Sequence, residues 1–267
     1  MNAMAPLSLS ATDLMLAALL LVINGIASLA LGLQVHRPLA IAALRMAAQL
    51  LLVGLLLRWI LEYRLAWMTA LAVVLMIAAA AREVAARPRQ SLRGWSGLGI
   101  STAVVSAASL LTVALALATA IRPQPWYDPR YAIPLMGIVL GSVLNSASIA
   151  LDAFLTGASA ARNVIDTRLA LGATRHTALR PQLMAAIRSG LLPVINQMSA
   201  AGIITLPGIM TGQVLAGMDA LEAAKYQIFL MFILAGASGL AAYGCAALAA
   251  WRITDGRHRL RLDRLRT

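Results

Sequence analysis

Lysine is almost absent: Lys225 is the only one in 267 residues. A P-loop requires G-x-x-x-x-G-K-[ST], with its lysine reaching the phosphates, and no glycine-rich stretch precedes Lys225. The chain therefore carries no Walker-type nucleotide site; if ATP drives it, another polypeptide binds that ATP. Cysteine is equally scarce. The single Cys245 excludes an intramolecular disulfide and a thiolate metal cluster. Charged residues make up 12% of the chain, against about 25% in a soluble domain. The ten acids, Asp13, Glu62, Glu83, Asp128, Asp152, Asp166, Asp219, Glu222, Asp255 and Asp263, fall in connections or near the ends of apolar runs. Proton-coupled carriers hold ionisable relays within their spans, so this placement argues against one. His36, His176 and His258 are far apart in the chain, and no Ser/His/Asp arrangement stands out. Neither a metal cluster nor a catalytic triad is legible.

What fills the chain instead is hydrocarbon. The residues are 61% hydrophobic, with a mean hydropathy of +0.81. Apolar runs of about 20 residues, each enough to cross about 30 Å of bilayer, recur along its whole length. The short alternating strands of a membrane barrel are missing from the pattern. The fold class is an all-α polytopic membrane protein with about seven transmembrane helices, read as a single transmembrane domain over 1–267. The spans are roughly 11–33, 39–60, 66–81, 98–121, 131–155, 190–217 and 226–250. The first lacks the basic leader of a signal peptide and follows Thr12-Asp13, so it is kept as a helix.

The formal net charge of +12 is unevenly placed. Connections 34–38, 82–97, 156–189 and the tail 251–267 carry one, four, five and six arginines. The opposite connections hold only Arg64, Arg122, Arg130 and Lys225. The positive-inside bias puts the N-terminus of this multi-pass chain outside and its C-terminus in the cytoplasm. This basic charge meets anionic lipid or a protein partner, not nucleic acid.

Several spans hold polar residues. Arg45 and Gln49 in "LRMAAQLLLVG" share a helix face one turn apart. Three roles stay open for Arg45: snorkelling to the interface, a hydrogen bond to another helix, or a place on a transport route. In "PLMGIVLGSVLNSASIALD", Gly137 and Gly141 have G-x-x-x-G spacing and Asn145 follows. Tight packing and lining of a route by Asn145 are both compatible with that. In the irregular sixth span Pro193 suits a first turn, whereas Leu206-Pro207-Gly208 falls near the middle of a long run. A mid-helix proline removes a donor and clashes with the preceding turn, so a kink or break is expected. Thr205, Pro207, Gly208, Thr211 and Gln213 are the candidate hinge or lining residues there.

The cytoplasmic segment 156–189 is longer than ordinary connections. Ser159 to Leu171 can form a helix stopped by Gly172. Thr174 can cap a second, short one, and Pro181 suits the first turn of whatever follows. Val164, Ile165, Leu169 and Leu171 alternate with Arg162, Asp166 and Arg168, giving an amphipathic piece that does not span. It either rests in the headgroup layer or forms a docking elbow for a cytoplasmic partner.

Loosely, the helix-Gly-helix elbow resembles the coupling loop of bacterial ABC importer permeases. "LALGAT" (169–174), "LPGIMTGQVLAGMDALEAAKYQI" (206–228), the Arg45/Gln49 span and "PLMGIVLGSVLNSASIAL" resemble a narrower family, the FetB-like permeases of iron-export ABC transporters, which has plant relatives linked to aluminium tolerance. This resemblance implies a permease subunit that works as a homodimer with two copies of a separate cytoplasmic ABC ATPase, which would bind the ATP and Mg. The cargo would be iron or another metal ion, moving outward, and the chain itself would be no enzyme. Asp166, Arg168, Gly172, Ala173, Thr174 and Arg175 would be the elbow that the ATPase grips. A self-sufficient carrier or channel and a non-transporting membrane scaffold are the competing classes.

Overall fold

The structure, a computed structural model, describes residues 10–63, 65–257 and 259–266; His258 and Arg64 lie outside the described residues. It divides into two compact units, one up to Arg64 and one from Leu65, taken here separately.

The first unit is a helical hairpin. Helix α1 (Ala11–Ala30) opens with a capping box in which the Ser10 hydroxyl accepts from the Asp13 N–H at 3.3 Å. The Asp13 carboxylate accepts from the Ser10 N–H at 2.9 Å in return. A turn pinned by the Val35 N–H donating to Ser28 Oγ at 3.0 Å leads into α2 (His36–Tyr63).

The second unit is a bundle of α3 (Ala66–Ala86), α4 (Ser96–Ala116, extended by a π-helical turn Leu117–Ile121), α5 (Pro129–Ala160), α6 (Arg162–Ala170), α7 (Arg175–Ala200), α8 (Gly208–Leu215) and α9 (Ala220–Arg252). Helix α5 is its axis, packed on α3, α4, α7 and α9. Val139, Val143, Ala147, Ala150 and Phe154, spaced three or four apart, are all fully buried along it. The facing side of α9 is small, with Ala237, Ala241, Ala242, Ala246 and Ala249 fully buried. Small residues let helices approach closely where lipid supplies no hydrophobic drive. At the tightest point Gly190 of α7 fits against α5 and α9: a Cβ there would lie 2.8 Å from the Ser146 carbonyl oxygen and 2.9 Å from Ala150 Cβ.

Six helices among the described residues are long and apolar enough to cross a membrane: α1, α2, α3, α4 with its π-helical turn, α5 and α9. The chain is thus a polytopic all-α membrane protein. The expected sixth span, 190–217, is not one helix. Its first part is the end of α7, a turn occupies 201–207, and α8 follows. Gly202 at φ +86° and the donor lost at Pro207 divide it. Two further expectations are corrected. The helix expected over 159–171 is split at Ala161 between α5 and α6. Pro181 and Pro193 lie inside α7 and not in a first turn, because Thr174 starts that helix and packing on α5 and α9 carries it across both prolines.

Candidate functional site

The second unit gathers three arginine-rich segments, 82–97, 156–189 and 251–267, at one end. The α3–α4 connection forms strand β1 (Ser91–Leu92), which pairs antiparallel with β2 (Leu265–Arg266) of the tail. Arg93 N–H donates to the Arg264 carbonyl at 2.7 Å. The Arg264 guanidinium donates to the carbonyls of Arg252 at 2.6 Å and Thr254 at 3.3 Å, closing the tail onto the end of α9. Helix α5 ties in the same connection: Asp152 Oδ1 accepts from the Arg89 N–H at 2.7 Å, and the Ser159 hydroxyl donates to the Gln90 side-chain oxygen. Beneath these bonds Leu92, Phe154, Leu155, Ile165, Leu179, Ile253 and Leu265 are buried in one cluster. The described part of the tail is therefore folded against the bundle.

The elbow is built from local signals. At the end of α6 the Gly172 N–H bonds the Leu169 carbonyl and the Ala173 N–H bonds the Arg168 carbonyl, both at 3.0 Å. That is a Schellman stop, and it requires the φ of +88° that Gly172 adopts. Thr174 then caps α7, its hydroxyl accepting from the Thr177 N–H at 3.3 Å. Arg168 reaches across to the Ala178 carbonyl at 3.4 Å, and Asp166 faces Arg162 at 3.6 Å on the solvent side. Ile165 anchors the piece in the core, Leu169 and Ala173 pack against that core, and Leu171 stands 84% exposed at the tip.

At the other end of α7 the chain reverses in a tight turn. The Ile204 and Thr205 N–H groups both return to the Ala200 carbonyl at 3.0 Å, and the Thr205 hydroxyl joins them at 3.3 Å. Pro207 precedes α8, and its carbonyl accepts from both the backbone and the hydroxyl of Thr211. Gly208 opens α8, whereas Gln213 Oε1 is enclosed without a hydrogen-bond partner. Thr205, Pro207, Gly208, Thr211 and Gln213 thus share one region. Asn145 is elsewhere, on α5, accepting from Arg87 at 3.4 Å, while Arg87 also faces Glu83 at 3.7 Å. Arg45 and Gln49 are one turn apart on α2 of the first unit. Among the described residues no three His, Cys, Asp or Glu side chains gather where a metal ion could be held.

Sequence reasoning overlooked the contacts that unite the basic end. The tail carried a signal, since Leu260, Leu262 and Leu265 recur between charges in "RLRLDRLR" and all three pack on the core. Asp152, at the close of an apolar run, gave no hint of its partner.

A family model described as "Uncharacterised protein family (UPF0014)" matches residues 11–253. The chain belongs to the UPF0014 family. The UPF0014 membrane protein slr1647 of Synechocystis is 40% identical to this chain over 208 residues, covering 76% of this chain and 78% of that protein. Protein ALUMINUM SENSITIVE 3 of Arabidopsis thaliana is 30% identical over 190 residues, 71% and 67% of the two chains. The probable iron export permease protein FetB of Escherichia coli is 26% identical over 222 residues, 83% of each. No solved structure matches this UPF0014 chain. The FetB-like resemblance seen in the sequence motifs is thereby placed within UPF0014, and this member is a membrane permease of that family.

Proposed function

We propose that this UPF0014 protein is the transmembrane subunit of an ATP-driven ABC transporter that exports iron or another metal ion. Two copies would pair in the bacterial inner membrane, N-terminus outside and C-terminus cytoplasmic, each engaging a separate cytoplasmic ATPase that binds ATP and Mg. The metal cargo follows the FetB relative, a probable iron export permease protein.

One observation carries the coupling role: α7 runs without interruption from the Thr174 cap at the elbow to the turn at Ala200. Force applied to Gly172-Ala173-Thr174 is delivered along a packed helix to Thr205, Pro207 and Gly208. The elbow suits a protein groove better than a lipid surface, because its exposed Leu171 projects from a tip held by Arg168, Gly172 and Thr174. A lone Lys225, with no Walker motif around it, means that the nucleotide must come with the partner.

The test is co-purification of the permease with its ATPase after replacing 166–175 by a Gly/Ser linker, and separately after Leu171→Asp. Both changes should abolish complex formation and transport, and the Leu171→Asp protein should keep its thermal stability. Undiminished assembly and transport by both variants would remove the elbow from the mechanism. Reconstituted permease that moves metal without any ATPase would replace this reading with a self-sufficient carrier.

A further inference from the structure

Two cavities adjoin where α7 begins and α9 ends. The first, about 360 Å³, is walled by Arg175, Arg252 and Arg264, with Trp251 and Asp255 completing the rim. The second is a slot of about 80 Å³ between the two helices, lined by Leu179, Leu183, Ala247 and Ala250 with His176 beside them. Arg175 and Trp251 line both, so the polar chamber and the apolar slot share a mouth.

The chamber is cationic by construction. Three arginines face one carboxylate, and that carboxylate is engaged within its own turn. Asp255 accepts from the Arg257 and Arg259 N–H groups at 3.0 and 2.8 Å and from Arg259 Nε at 2.9 Å. Arg264 is held at the wall by its bonds to the carbonyls of Arg252 and Thr254. The first turn of α7 adds the partial positive charge of a helix N-terminus, with Arg175 at its first position. The apolar side is equally directional. Leu240, Tyr243, Leu248 and Trp251 are exposed along α9, an apolar stripe that ends in an aromatic at the chamber's mouth.

We propose that these joined cavities seat one anionic glycerophospholipid of the cytoplasmic leaflet. Its phosphate would lie among Arg175, Arg252 and Arg264, and the first few methylenes of one acyl chain would lie in the slot between α7 and α9. Basic pockets between transmembrane helices on the cytoplasmic side recognise such headgroups. The slot distinguishes the lipid from a free phosphate ester, which has nothing to place against Leu179, Leu183, Ala247 and Ala250. Because Arg175 also belongs to the elbow, an occupied site would brace the start of α7.

Native mass spectrometry of the purified permease alone tests this without reference to any ATPase. The protein is exchanged into micelles containing equal phosphatidylglycerol and phosphatidylcholine. Wild type should retain one phosphatidylglycerol in at least about tenfold preference, and R175Q/R252Q should lose that preference, as expected from removing two basic residues near a phosphate. The control R257Q/R266Q removes the same charge from the same end outside both cavities and should keep it. A247W, which fills the slot, should release the bound lipid while all variants remain monodisperse. Four results would overturn the site: equal retention of both lipids by wild type, preference surviving in R175Q/R252Q, equal loss in the control, or lipid retained by A247W. Displacement of the lipid by millimolar glycerol 3-phosphate would reassign the chamber to a soluble phosphate ester.

Discussion

Gly190 is the position at which the bundle tolerates least. Replacing it with alanine adds a single methyl group, 2.8 Å from the Ser146 carbonyl oxygen, 2.9 Å from Ala150 Cβ and 3.1 Å from Ala242 Cβ. Ordinary carbon contacts are about 3.5–4.0 Å, so α5 and α9 must each retreat by roughly half an ångström. None of the three atoms is the end of a flexible side chain. Overpacking of this kind costs about 1–3 kcal/mol. Alanine recovers about 1 kcal/mol of helix propensity over glycine, so a net loss of up to about 2 kcal/mol is expected. Gly239→Ala is the internal control: it too lies inside a helix, but a Cβ there meets nothing within 4 Å, and propensity alone should stabilise it by up to about 1 kcal/mol. The two variants should therefore move in opposite directions in a reversible SDS titration followed by tryptophan fluorescence. If Gly190→Ala is as stable as wild type, or shifts like Gly239→Ala, the three-helix crossing is not as tight as described.

Two further outcomes concern the basic end. Asp152→Ala removes the acceptor of the Arg89 N–H, and the loss of a hydrogen bond to a charged group, about 1.5–3 kcal/mol, should speed Arg89 amide exchange by roughly tenfold or more; Asp152→Asn, which keeps an oxygen, should have a smaller effect, and unchanged exchange in both would refute the tie. Arg261 hydrogen bonds hold the Asp263 carboxyl down to about 2, and the Arg259 N–H holds Asp255 below the ordinary carboxylate range. Both folded values lie below the unfolded value of about 3.9, so their stabilisation is present above that pH and fades as pH falls towards the folded values. Spin labels at Ser91→Cys and Arg266→Cys, in a Cys245→Ala background, should hold one distance from pH 7 to 5 and separate only below about 4; separation between pH 7 and 5 would refute the assignment.

Apolar runs locate the membrane helices because their length and composition report transfer into lipid residue by residue, with no tertiary information required. Gly172 and Thr174 are legible for the same reason: a left-handed stop and a hydroxyl cap act within a few residues of themselves. The prolines of α7 are not. A missing donor costs least in a first turn, so Pro181 and Pro193 read as helix starts; only the packing of α7 between α5 and α9 keeps the helix going past them. The packing of the tail is not legible for another reason: its arginines dominate its composition, whereas its leucines decide its place. Contacts such as Asp152 with Arg89 join residues 63 positions apart, and no local pattern encodes them.

Under the coupling proposed for the elbow, the position of Gly190 within α7 would also set a gear ratio. From Arg175 to Gly190 is fifteen residues, about 22 Å of helix, and from Gly190 to Ala200 is ten, about 15 Å, at about 1.5 Å per residue. With the crossing as fulcrum, a sideways push of about 3 Å at the elbow would emerge as about 2 Å at the far turn, in the opposite sense. Pro181 lies on the long arm and Pro193 on the short one, so each arm contains a compliant joint where a backbone hydrogen bond is missing. Stiffening one arm would change the stroke without touching either end.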